Sequence, residues 1–329
     1  MAAKLRIRSG WISALGALTT SCALAGVLCA CTSACGGSAP AAQIEAAQFD
    51  AARAWKLLEE QVALGPRPAG SEALERTRAL IERELTAAGL TPVREAFTAQ
   101  TPAGETSMSN VYADLAASGS QAEQAPLVLI ASHFDTKKVD FPFVGANHGA
   151  SSTAVLLELA RVLAGAGPRQ VGYRFVFFDG EEAVRFHWED PDNCYGSRHH
   201  SAELKRKGEL GRVRALVLLD LIGDRDLRLT RDSYSSARLV EIFFGAARAN
   251  GLGKYVDGPT LAVKDDHQPF LSAGVESIDL IDFSYGPDNS WWHTADDTAD
   301  KCSQESLSAV GRIVLLGLGG LERYVTAHK

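Results

Sequence analysis

Four short apolar runs, each followed at once by a polar, metal-competent side chain, most constrain how this chain can fold. LVLIAS leads into His133 and Asp135. YRFVFFDG leads into Glu181 and Glu182, and LVLL into Asp220. SIDLI contains Asp279 and is followed by Asp282. Runs this continuously apolar are buried on both faces, as strands of a parallel sheet are. Helix-period segments lie between them, over Ser151 to Ala164, Tyr195 to Lys207, Ser235 to Asn250 and Ser303 to Val325. Upstream, Gln43 to Ala63 and Glu72 to Ala88 read as helices, and Pro92 to Thr98 and Ser109 to Leu115 as strands. Strands alternating with helices predict an α/β fold, a mixed, mostly parallel central sheet flanked by helices on both faces. In such sheets ligands bind beyond the carboxyl ends of the strands, so these polar residues can converge there although they are distant in sequence.

The N-terminus reads differently. Lys4, Arg6 and Arg8 precede an apolar run from Trp11 to Ala30, which ends in small residues and cysteines. This is an export signal, and Cys31 and Cys35 both fit a lipidation site loosely. The expected organisation is a signal and lipobox region over 1–35, a Gly/Ser/Pro tether over 36–42 and one catalytic domain over 43–329. The expected location is periplasmic or cell-envelope, with a possible lipid anchor as the only membrane contact, or else secreted. Of six cysteines only Cys194 and Cys302 fall in the folded part. They are a disulfide pair or two separate thiols. The net charge of −7 becomes −10 once the three N-terminal cations are removed. That acidity excludes a general nucleic-acid binder.

FFDGEEA (Phe177 to Ala183) and WWHTADD (Trp291 to Asp297) carry the chemistry. Adjacent Glu181 and Glu182 allow one carboxylate to hold a metal and the other to move protons. His148 lies in the glycine-bounded loop VGANHGAS just before a helix, and His293 in a later loop. Taken singly, such residues are more often helix caps, surface acids or core packing. Together at one sheet edge they form an imidazole and carboxylate set of the kind that binds zinc.

These residues resemble the glutaminyl-peptide cyclotransferases of the zinc aminopeptidase superfamily. The matching segments run in order from GPRPAGS (Gly65 to Ser71) through SNVYADL, SHFDTK, the His148 loop and its helix, DGEEA with Phe186-His187-Trp188, YGSRH, LVLLDLIGD and DDHQPFL to Trp292-His293-Thr294. They cover about residues 50 to 325. The resemblance implies cyclisation of N-terminal glutamine of peptides or proteins to pyroglutamate, with one zinc ion per chain. It implies Glu182, His293 and His148 as zinc ligands and Glu181 as general acid/base. Asp220 and Asp265 belong to its proton and hydrogen-bond network, and Trp188, Trp292, Val263 and Lys264 to the pocket lining. A monomer is expected, with N-terminal Gln peptides as partners. His133 and Asp135 match a second-zinc motif that cyclases do not use for their single zinc. Two positions depart from the pattern. His148 stands where the family has an aspartate, and Asp279 where animal-type cyclases have a histidine. A neutral imidazole is a poor bridge between two metals, so His148 disfavours a dinuclear aminopeptidase. That peptidase and an inactive peptide-binding lipoprotein are the alternative readings.

Overall fold

A computed structural model describes residues 48–120 and 122–327. The signal, lipobox and tether lie outside the described residues. Among those described, no helix is long and apolar enough to cross a membrane.

Among the described residues there are eight strands: β1 (Pro92–Thr101), β2 (Gly104–Leu115), β3 (Leu127–His133), β4 (Gly172–Phe178), β5 (Val213–Asp220), β6 (Arg231–Asp232), β7 (Thr260–Leu261) and β8 (Glu276–Ile281). Six of them form the central sheet in the order β1-β2-β4-β3-β5-β8. β4, β3, β5 and β8 are mutually parallel, and β2 and β1 are antiparallel additions at one edge. The helices are α1 (Ala51–Val62), α2 (Glu72–Ala87), α3 (Ser152–Ala164), α4 (Tyr195–Arg206), α5 (Ala237–Ala249), α6 (Gln268–Ser272) and α7 (Gln304–Ala327).

Alternate residues of each buried strand serve different faces, as the two-residue period requires. Ile130, Phe175, Phe177, Val217 and Leu219 join the large core beneath α1, α2, α3, α5 and α7. Leu129, Val176, Phe178, Leu216 and Leu218 pack on the other face with Leu204 of α4 and Phe270 of α6. Both faces are therefore dry, and the polar side chains are displaced to the strand ends.

The expected boundaries hold to within a few residues at most elements, and local chemistry explains them. Ser71 accepts the N–H of Leu74 and Ser303 that of Ser306, so each caps the helix that follows. α1 starts at Ala51, later than the expected Gln43. Asp50 takes the cap by accepting the N–H groups of Ala52 and Arg53, and Phe49 leaves the helix to pack against Gly311 of α7, where any β-carbon would collide with its ring. The paired β6 and β7 were not foreseen, because two-residue strands carry no period. Cys194 and Cys302 are both buried and free, which settles their pairing: there is none.

A buried polar link fastens α4 to the antiparallel edge. Glu95 of β1 lies 2.8 Å from Nδ1 of His200 and accepts from the Asn110 amide at 3.1 Å. Burial pushes the Glu95 carboxyl up, but the hydrogen bond and charge of His200 outweigh it and hold the pKa at about 2. The unfolded chain has an ordinary glutamate near 4.3, so between these values it binds more protons than the native state. This contribution is complete above about pH 5 and lost as the pH falls toward 2. Glu95→Gln should therefore lower urea stability at pH 7, with a smaller difference from wild type at pH 3.

Candidate active site

The carboxyl edge of the sheet brings together what the sequence scattered. β3 ends on His133, β5 ends on Asp220, and Glu181 and Glu182 follow β4 directly. The turn after β4 requires Gly180, whose φ is +69° and whose absent β-carbon would strike the Met108 sulfur at 2.5 Å. Asp135 then accepts the backbone N–H of Glu181 at 3.1 Å and of Glu182 at 3.3 Å. It fixes the direction of both acids as well as approaching His133 Nδ1 at 3.4 Å.

His148 and His293 reach the same place from opposite ends of the chain. His148 lies in a wide turn, Ala146–Ser151, which precedes α3 and shortens it to a start at Ser152. A side chain at Gly149 (φ +83°) would meet the Asp135 carbonyl at 2.8 Å, so glycine lets this turn press against β3. His293 sits at φ +54°, a left-handed conformation costly for a residue with a β-carbon. Asp297 fastens the two loops together. Its buried carboxylate accepts the N–H of Asn147 at 2.8 Å, the N–H of His148 at 3.1 Å and the Tyr285 hydroxyl at 2.7 Å. On the other side Arg67, fully buried, donates to the carbonyls of Gln61, Gly65, Val144 and Gly145.

Nε2 of His148 and Nε2 of His293 each lie 3.0 Å from Oε1 of Glu182. One ligand atom from each residue lies within 4.8 Å of the others, a grouping able to hold a metal ion. These nitrogens and both Glu182 oxygens are buried and make no hydrogen bond among the described residues. Buried polar atoms are rarely left so, and orphaned donors converging on one point fit a cation. A tetrahedron with 2.0–2.1 Å bonds has edges of roughly 3.4 Å, close to these separations. His133, His148 and Asp220 form a second such group. Here His133 Nε2 is already 3.2 Å from the Asp220 carboxylate, a hydrogen-bonding distance.

The adjacent acids have opposite character. Glu182 is buried, which alone would raise its pKa, yet His293 and His148 hold it well below the usual range. Glu181 is pushed well up, chiefly by burial, against the opposing pull of His133, with Asp265 and Glu182 adding to the rise. Asp265 is raised to about 6 by burial and by the nearby Asp220. Burial pushes Asp220 up, but the hydrogen bond and charge of His133, the charge of His148 and the Leu221 N–H together draw it down. Asp220 therefore meets His133, whose other nitrogen is 3.8 Å from Glu181. Asp220 thus reaches Glu181 through this imidazole.

Above these groups is a pocket of about 320 Å³. Of the residues expected to bind metal, catalyse or line the pocket, all but Glu182 line it: His148, Glu181, Trp188, Asp220, Val263, Lys264, Asp265, Trp292 and His293, whereas His133, Asp135, Asp279 and Asp282 do not. Trp292 stacks on His293 with ring centroids 3.9 Å apart and meets Phe283 edge-on. Its neighbour Trp291 packs instead on Gly286 and Tyr285, outside the pocket lining. Tyr234, Ile281 and Phe283 also line the pocket and were missed. Ile281 and Phe283 flank Asp282 at the end of β8, a position that could have flagged them.

Comparison with known proteins agrees with this geometry. Residues 110–317 match peptidase family M28. A glutaminyl-peptide cyclotransferase-like protein of Bos taurus is 31% identical, with 86% of this chain and 79% of that protein covered. The crystal structure of an Acidobacteriales bacterium glutaminyl cyclase superimposes with a TM-score of 0.79 at 34% identity, over 84% of this chain and 96% of that one. Porphyromonas gingivalis glutaminyl cyclase gives 0.75 at 27%, over 83% and 99%. The chain belongs to the glutaminyl cyclases of peptidase family M28.

Asp297 is the testable hinge of this site. Asp297→Asn keeps the size but replaces an acceptor oxygen with a donor facing two backbone N–H groups. Loss of such supporting partners typically weakens metal binding about 10–100-fold. A chelator competition titration should show that loss, with Glu182 and both imidazoles intact.

Proposed function

We propose that this enzyme cyclises the N-terminal glutamine of peptides or proteins to pyroglutamate and releases ammonia, using one zinc ion held by His148, Glu182 and His293. The observation that carries the assignment is the set of converging, buried Nε2 and carboxylate atoms without hydrogen bonds beneath the pocket, beside a second carboxylate of opposite proton affinity. Zinc bound there supplies Lewis acidity toward the side-chain amide carbonyl of the substrate glutamine.

The remaining steps belong to the chain's own residues. The substrate α-amine attacks its own δ-carbon, so one C–N bond forms and the bond to the amide nitrogen breaks. Glu181 receives the amine proton and delivers it to the departing nitrogen, which leaves as ammonia. Its burial raises its proton affinity and suits it to both halves of this transfer. Asp265 faces the pocket and hydrogen-bonds the leaving group, while His133 transmits the Asp220 charge to Glu181. Trp188 and Trp292, with Val263, Ile281 and Phe283, enclose the aliphatic part of the glutamine. At about 320 Å³ the pocket is at the small end for ligand sites, which favours one folded-back side chain. That orientation is the larger part of what an intramolecular attack needs.

The enzyme acts outside the cytoplasm as a monomer, exported by residues 1–35 and, if lipidated, attached through Cys31 or Cys35. His148 supports mononuclear chemistry, since a neutral imidazole offers one nitrogen to one metal.

Incubation with a Gln-initiated peptide should remove one ammonia by mass and leave the peptide bonds intact. Release of the free first residue would sink the proposal in favour of an aminopeptidase. Glu181→Gln should cut turnover by about 10²–10⁴-fold without loss of metal. Elemental analysis should find one zinc per chain, and His148→Ala should remove it.

A further inference from the structure

The opposite end of the sheet carries a second, larger cleft of about 720 Å³ that the reaction does not use. Its walls come from the segments leading into β3 and β5 and from the last turn of α7. Arg212, Arg214 and Arg323 line it, and no lining residue is acidic. Arg212 spends one donor on the Ala125 carbonyl at 3.3 Å. The side chains of Arg214 and Arg323 make no hydrogen bond or ion pair among the described residues, and both are exposed. Arg169 stands close by, where its backbone N–H donates to Ser118 of the cleft. Its guanidinium donates only to carbonyls, those of Ala116, Leu163 and Ala166. Four arginines without a carboxylate partner are unexpected in a chain of net charge −7. Some exposed arginines elsewhere are paired, as Arg83 is with Glu60, Arg94 with Glu82 and Arg231 with Glu241, and others such as Arg76 and Arg185 are single; the cleft differs in gathering its arginines around one cavity without an acid.

The cleft is remote from the catalytic pocket. It opens at the amino ends of β3, β4 and β5, whereas the catalytic pocket opens at their carboxyl ends. Seven residues of β3 put roughly 20 Å between them. The described chain begins against α3 and α7, with Phe49 packed on Gly311. The Gln48 carbonyl accepts from Arg161, near the end of α3 that faces away from the catalytic edge.

We infer that the Arg212–Arg214–Arg323 cleft is a membrane-facing surface that takes the phosphate headgroups of an anionic bilayer, with the catalytic pocket turned toward solvent. Clustered basic residues are drawn to anionic headgroups, and guanidinium groups bind phosphate bidentately. An N-terminal lipid and a basic surface are complementary attachments, since one anchoring signal alone holds weakly. The acidic remainder of the protein is repelled by the same surface, which fixes the orientation as well as the contact. The inference does not depend on the cyclase reaction, because none of these arginines lines the catalytic pocket.

The test is sedimentation of the full chain with vesicles of phosphatidylcholine alone and of phosphatidylcholine mixed with phosphatidylglycerol. Wild type should bind the anionic vesicles more tightly, with the difference falling as salt rises. The double variant Arg214→Glu/Arg323→Glu should lose roughly tenfold or more in that difference. Binding to neutral vesicles should be unchanged, because it reports only the apolar N-terminus. Arg214→Lys/Arg323→Lys should retain most of the anionic preference, and turnover of a Gln-initiated peptide should stay at the wild-type value in both variants. Equal binding to both vesicle types, or an anionic preference that survives the glutamate variant, would overturn the proposal. Binding of inorganic phosphate by the cleft with no vesicle preference would also overturn it and make the cleft a free-anion site.

Discussion

The buried carboxylate of Asp297 is the interaction on which the site most depends. It joins the turn of His148 to the loop of His293, segments about 150 residues apart, through two backbone N–H groups and the Tyr285 hydroxyl. Burial pushes its proton affinity up, and only the groups it gathers make the charged form tolerable. The strain at His293, with its left-handed backbone, is held by the same fastening. Arg67 balances Asp297 from the other side of the turn. Burial draws its guanidinium down to about 10, with Asp297 and Asp135 pulling it back up. A buried cation and a buried anion thus grip one loop mainly through its peptide groups.

The same economy governs the acids. Glu181 and Glu182 are consecutive in sequence, equally buried and held by one Asp135, yet their proton affinities move in opposite directions. Only their neighbours differ, two imidazoles and the Lys137 ammonium for Glu182 and one imidazole among several acids for Glu181. A divergence of this kind is how adjacent carboxylates acquire different roles. Farther in, Asp279 lies 4.0 Å from His267, and that histidine is 3.3 Å from Asp232. This position departs from animal-type cyclases, but an imidazole still stands beside it, supplied by the DDHQPFL segment.

The strands and their terminal acids were legible because both-face burial writes a continuous apolar run, and the residue that ends it is visible in sequence. Glu181, Glu182, His148 and His293 were legible because few other roles suit their chemistry in those loops. Arg67 and Asp297 were not, since an arginine in GPRPAG and an acid in TADDT read as ordinary loop residues. Their importance lies in backbone carbonyls and N–H groups that any sequence supplies. Tyr234 and Phe283 were missed for a related reason: a pocket wall needs only an apolar surface, and position in space decides which aromatic provides it. Trp291 and Trp292 make the same point, one packing on Gly286 and the other stacking on His293.

His148 shows what replacing an aspartate with a histidine asks of its surroundings. A metal-binding imidazole usually donates its second nitrogen to an acid or carbonyl, which fixes the ring. Nδ1 of His148 has no such partner among the described residues. The ring is instead caged by Phe143, His133 and His293, with centroids 5.9, 5.0 and 4.7 Å away. Packing of this kind limits rotation but sets direction less sharply than a hydrogen bond. The direction must then come from the backbone that carries the ring. That backbone is what Asp297 and Arg67 hold, so the two buried charges do the orienting that a hydrogen-bonded partner would otherwise do for the imidazole itself.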